Sequence, residues 1–170
     1  MRACEHTLTV DASVDAGGHL VGIGIVVQER SGSGGRGPIV ERISESHQGI
    51  DVATAEEFAV LRALEFARER GFSRLKIRSD HNQMRRSLRE AHRTNRAPVG
   101  PGLRRRILEL AGGFEYVHFG WVPRRKNQLA HALARHGVQR GAAGVRNPKL
   151  ATVSNCRVGR HPPSGWFDLV

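Results

Sequence analysis

Cysteine is nearly missing from this chain: two in 170 residues, Cys4 and Cys156, stand near opposite ends with no CxxC spacing. A disulfide scaffold and a zinc knuckle are both excluded, and a reducing compartment is the natural setting. Long apolar runs are also missing. The longest, Leu20 to Val27, is eight residues and holds two glycines, against the roughly 20 needed to span a bilayer, so no membrane span is expected. Met1-Arg2-Ala3-Cys4-Glu5-His6 does not lead into the apolar stretch of a secretory signal, and the expected location is the cytoplasm. Aromatics, at 5%, are few.

What is present is positive charge. Twenty-seven basic residues face 16 acidic ones, a net +11, which points to a polyanionic partner. The excess is local: Arg74 to Arg106 holds eleven basic residues against Asp80 and Glu90. Nearly all are arginine, which grips phosphate bidentately where lysine acts as a point charge. The length fits one domain with a tail.

Along the chain, His6 to Ala12 alternates and Leu20 to Val27 is a compact β-branched run, so both read as strands. The Gly/Ser stretch Ser31 to Gly37 lacks a phosphate-loop pattern and reads as a loop, leading to a third strand at Ile39 to Ser46. From Thr54, a plausible N-cap, Ala59, Val60, Ala63, Leu64 and Ala67 recur at helical spacing, and Gly71 closes the helix. Leu75 to Ser79 reads as a buried strand. A helix follows with Met84, Leu88 and Ala91 on one side and Arg85, Arg89 and Arg93 on a neighbouring face. Pro98 to Gly102 interrupts. A helix over Leu103 to Ala111, a strand over Phe114 to Val122 and a last helix from Asn127 to about Gly137 complete the order βββαβααβα. Beyond Val138 the apolar pattern is lost and five basic residues accompany Asp168. The expected organisation is therefore a domain over 1–138 and a flexible basic tail over 139–170, with Trp166-Phe167 reading as a stray aromatic pair.

Asp11 lies on the first strand, Glu56 in the first turn of the first helix and Asp80 just after the fourth strand. Strand ends and helix starts are where a sheet presents side chains to a shared site. The offsets of Glu56 to Ala59, Val60 and Ala63 put it on the inward stripe of its helix, and Glu57 is expected to face outward. Three acids converging at a sheet edge repel one another unless a divalent cation sits among them. Asp15 and Asp51 read as a cap or surface charge, and Ser79-Asp80-His81 are too close in sequence to suggest a serine triad.

Four motif pieces resemble the ribonuclease HI family. They are Thr9-Val10-Asp11-Ala12-Ser13 with Gly22-Ile23-Gly24; Ala55-Glu56 with its following helix; Ile77-Arg78-Ser79-Asp80; and Trp121-Val122-Pro123-Arg124-Arg125-Lys126-Asn127-Gln128-Leu129-Ala130-His131. They cover residues 6 to about 138. The resemblance implies an α/β ribonuclease H-like fold, with a five-stranded mixed sheet and helices on both faces. It also implies two Mg²⁺ or Mn²⁺ ions: one held by Asp11, Glu56 and Asp80, the other by Asp11 and the residue of the closing motif. That residue is a carboxylate in the family and His131 here. An imidazole carries no negative charge, which weakens Mg²⁺ at that place and favours softer ions such as Mn²⁺; the alternative is a tolerated substitution that silences the enzyme.

The implied activity is endonucleolytic hydrolysis of the RNA strand of RNA:DNA hybrids by a monomer, with duplex type rather than sequence recognised. Ser13, Arg85, Arg89, Arg124, Arg125 and Asn127 are the expected nucleic-acid contacts, and Arg104 to Arg106 are further candidates for the backbone. Two other readings stand beside it: a catalytically impaired module that binds hybrid or structured nucleic acid, and a nuclease acting on another structured nucleic acid.

Overall fold

A computed structural model describes residues 5–30, 36–94, 102–146 and 155–158. Three antiparallel strands come first, β1 (His6–Val14), β2 (Leu20–Arg30) and β3 (Arg36–Gln48). Helix α1 (Ala55–Glu69) leads to β4 (Arg74–Ser79), α2 (Asn82–Thr94), α3 (Gly102–Gly112), β5 (Tyr116–Trp121) and α4 (Gln128–Arg146). β4 lies parallel to β1 and β5 parallel to β4. The expected α/β order is found, with a sixth strand, β6 (Asn155–Val158), on the outer edge of β3.

Strand alternation builds two layers on the sheet. Leu8, Val10, Ile23, Ile25, Leu75 and Ile77 are buried on one face in a core shared with Ala59, Val60, Ala63 and Leu64 of α1 and Ile107 of α3. On the opposite face α4 lies against β2, where Ala130 and Leu133 pack on Val26. This approach is unusually close. A Cβ on Gly22 would stand 1.9 Å from the Ala134 carbonyl oxygen, and one on Gly24 2.0 Å from that of Ala130. β2 needs glycine at both places for α4 to sit there at all.

The same packing corrects the predicted end of the last helix near Gly137. Gly137 is in mid-helix, where a Cβ would meet the Glu45 carbonyl oxygen at 2.1 Å, and at Gly141 one would meet Ser46 Oγ at 2.0 Å. These glycines permit close approach to β3 rather than stopping the helix. Part of the region predicted as tail is thus structured, as the end of α4 and as β6; Trp166-Phe167 lies outside the described residues, as does Ser31 to Gly35 of the predicted loop.

Turn chemistry matches the sequence. Asp15 Oδ1 accepts the N–H groups of His19 (2.7 Å) and Leu20 (2.8 Å), tying the β1–β2 turn, and Asp51 caps a short turn through Ala53. Gly71, at φ +69°, ends α1. Thr54 precedes α1 without a capping bond from its side chain; its hydroxyl donates to the Asp51 carbonyl instead.

Candidate active site

Asp11 sits on the α4 face of β1 and is 4% exposed. Asn127, at the start of α4, is 1% exposed; its Nδ2 donates to Asp11 Oδ1 at 3.0 Å and to the Val10 carbonyl at 3.2 Å. One helical turn on, His131 places Nδ1 2.8 Å from Asp11 Oδ2. An ionised carboxylate only accepts, so Nδ1 carries the proton and Nε2 is left for another partner. Both oxygens of Asp11 are therefore oriented by α4.

Glu56 reaches the same place from the first turn of α1, across the end of the sheet, and Asp80 from the end of β4. One carboxylate oxygen from each of Asp11, Glu56 and Asp80 lies within 4.8 Å of the others. Burial, then the charges of Asp11 and Asp80, push the Glu56 carboxyl up to about 8. Burial likewise raises Asp11, to about 6, against the lowering hydrogen bond from His131. Glu56 Oε2 is buried with no hydrogen-bond partner. A set of acids that repel one another, Asp11 buried and Glu56 and Asp80 half-buried, with one oxygen unsatisfied, fits a divalent cation with hard oxygen ligands. The three acids meet as the sequence predicted. His131 joins them through Asp11 alone.

Around this centre the other candidates divide. Ser13, two residues beyond Asp11 on β1, is half-buried opposite Gly22, and Arg124 and Arg125 are exposed on a short turn before α4. Arg89 is exposed on α2, and Arg85 is half-buried with its guanidinium on Asn82 Oδ1 at 2.7 Å. Asn127 is a correction: it is buried and spent on Asp11 and Val10, so it positions the acid and has no surface to offer a nucleic acid. Glu57 is another, since it is 7% exposed and held by Arg104 at 2.6 Å, between α1 and α3. Arg104 is thereby taken from the predicted backbone contacts, and Arg106 pairs with Glu65 of α1. Ser79 Oγ accepts the His81 N–H at 3.0 Å and the His81 ring accepts that of Met84, so these residues start α2 and form no nucleophile pair.

One residue at the site belongs to the closing motif, where the sequence assigned it no role. Trp121, 49% exposed at the end of β5, donates its indole N–H to the Asp80 carbonyl at 3.3 Å. Its place after an alternating strand and before Pro123 was the available signal.

A family model described as reverse transcriptase-like matches residues 9–137. The chain belongs to that family. Three solved structures of ribonucleases H share the fold of this reverse transcriptase-like domain. RNase H1 of Halobacterium salinarum is 25% identical, with a TM-score of 0.61 over 79% of this chain and 97% of that one. The N-terminal RNase H domain of a Mycobacterium tuberculosis protein is 18% identical, with a TM-score of 0.65 over 84% and 99%. LC11-RNase H1, isolated from compost and solved with an RNA/DNA hybrid, is 18% identical, with a TM-score of 0.60 over 81% and 99%. No curated protein matches. The resemblance seen in the four motifs is borne out at the level of family and fold. No helix among the described residues is long and apolar enough to cross a membrane.

Proposed function

We propose that this ribonuclease H-type domain is a metal-dependent endoribonuclease that hydrolyses the RNA strand of RNA:DNA hybrids. The observation that carries the reading is the convergence of Asp11, Glu56 and Asp80 within 4.8 Å on this fold, with Glu56 Oε2 buried and unsatisfied. Asp11, Glu56 and Asp80 would hold one Mg²⁺ or Mn²⁺, and Asp11 with His131, once its Nδ1–H bond to Asp11 is given up, a second. Two such ions supply the chemistry of in-line displacement, by generating the nucleophile and steadying the leaving oxygen. Asn127 fixes the orientation of Asp11 for this purpose. The basic surface, including Arg85, Arg89, Arg124 and Arg125, would meet the backbone without reading sequence, and a monomer in the cytoplasm suffices.

The Asp11–His131 contact also supports the second reading. A neutral imidazole bonded to Asp11 partly satisfies the carboxylate that a second cation would need, and a domain so arranged would bind hybrid without cutting it. Cleavage of a labelled hybrid in Mg²⁺ and in Mn²⁺, by the native chain and by His131→Asp, separates the two. Native cleavage that is stronger in Mn²⁺, with Mg²⁺ activity recovered in the variant, supports the nuclease. Tight binding without products, and cutting only by His131→Asp, supports the binding module. Double-stranded RNA and single strands, run in parallel, test the substrate.

A further inference from the structure

The sheet's open edge carries a cluster of cations outside the acid site. In the parallel register of β4 and β5, Lys76 stands beside His118 and Arg78 beside Gly120. The side chains converge over that glycine: a Cβ there would lie 2.7 Å from Lys76 Cε, 3.5 Å from Arg78 Cγ and 3.6 Å from His118 Cδ2. Next to this edge, α2 and β5 border a hollow of about 390 Å³ whose lining includes Arg89, His92, Arg93, Glu115, Tyr116 and His118.

Few acids stand beside Lys76, Arg85, Arg89 and His118. Neither β4 nor β5 carries an acid, and Glu90, the one acid of α2, is held by Arg93 at 2.8 Å. Glu115, just before β5, pairs with Arg74 at 2.6 Å. Arg85 keeps its Nε buried without a hydrogen-bond partner. Burial, then Lys76, Arg89 and Arg85, hold the His118 ring below its ordinary value, as a shared positive field requires. Such a concentration of like charge on adjacent elements is what a phosphate neutralises.

We propose that Lys76, Arg85, Arg89 and His118 form a second nucleic-acid contact, which holds a backbone phosphate of the substrate away from the acid cluster. The inference rests on the nucleic-acid reading above and adds to it an anchoring site with a defined reach. Lys76 and Asp80 are four residues apart along β4, about 13 Å of extended chain, or roughly four nucleotides at 3.4 Å each along the axis. Long hybrids can reach both places, and hybrids that end close to the cut cannot.

The test measures binding by fluorescence anisotropy in chelator across a salt series. It uses a 20-base-pair hybrid and a hybrid truncated to about three pairs beyond the cut on each side in turn. The native chain is compared with Lys76→Gln/Arg89→Gln and with His118→Ala, each checked by thermal melting. The double variant is expected to bind the long hybrid about tenfold more weakly, with a salt slope shallower by about 2. Its affinity for one of the two truncated hybrids is expected to match the native value. If the native chain binds hybrid and the variants keep its affinity and slope, the edge site is overturned, and the surface is left to an acidic protein. If the native chain binds no hybrid at low salt, the nucleic-acid reading is overturned together with the edge.

Discussion

Substituting Gly24 by alanine exposes how the fold holds its site. The added Cβ would lie 2.0 Å from the Ala130 carbonyl oxygen and 2.7 Å from the Ala134 backbone nitrogen. Both are backbone atoms of α4, so no side chain can swing aside. Restoring an ordinary 3.4 Å contact requires α4 to withdraw by roughly 1.4 Å, taking Leu133 off Val26. Overpacking of this kind costs about 1–3 kcal/mol, and contact with backbone places it near the upper figure. For a chain of this size that is a fall in Tm of about 6–12 °C. The same withdrawal moves Asn127 and His131 off Asp11, where their bonds are 3.0 and 2.8 Å, so activity should fall further than stability explains. Gly112→Ala is the control, because a Cβ there meets nothing within 4 Å, and it is expected to be neutral or to gain up to about 1 kcal/mol. Circular dichroism melts of the three proteins decide the matter. A Gly24→Ala melt equal to the native one would refute the close-packing argument.

Other expectations follow from single groups. Burial alone would raise the Glu45 carboxyl, yet hydrogen bonds from His47 and Arg62 outweigh it and hold the group at about 2. The folded value lies below the unfolded one, so this stabilisation is present above about pH 4.5 and lost as pH falls toward 2. It amounts to at most about 3 kcal/mol, and Glu45→Gln should flatten the acid limb of a Tm-against-pH curve; an unchanged limb would show the pair to be idle. Adding Mn²⁺ to chelated protein should raise Tm by about 5–10 °C at a hundredfold excess over Kd, and Glu56→Gln should abolish the rise in the same scan. Asn127→Ala leaves a buried carbonyl and a carboxylate oxygen without their donor, at a cost of about 2 kcal/mol, read by urea unfolding. A native-like midpoint in that experiment would contradict the positioning role.

The strands and helices were legible because their apolar spacing is strong: Leu8, Val10, Ala59, Val60, Ala63 and Leu64 were expected inside and are buried. The acid cluster was legible because Glu56 starts α1 and Asp80 follows β4, while Asp11, in mid-β1, stands out through the motif around it. Partners distant in sequence were not. Glu57 is buried because Arg104, 47 residues away, meets it, and helical periodicity carries no information about that pair. Gly137 reads locally as a stop, and only its contact with the Glu45 carbonyl shows why glycine stands there. Asn127 lies in a motif otherwise rich in exposed arginines, so its burial becomes visible only once α4 is laid across β1. β6 is four residues long and pairs with β3 far away in sequence, too short for a periodic signal.

The central claim is that Asp11, Glu56 and Asp80 form a cation-dependent cutting site for RNA in hybrids. Its most direct test is gel analysis of a 5′-labelled RNA strand paired with DNA, incubated in Mn²⁺ with the native chain and with Asp80→Asn. The account predicts internal cleavage of the RNA by the native chain, none in chelator, and at least a hundredfold loss in the variant at an unchanged circular dichroism spectrum. Cleavage by Asp80→Asn at the native rate would contradict it.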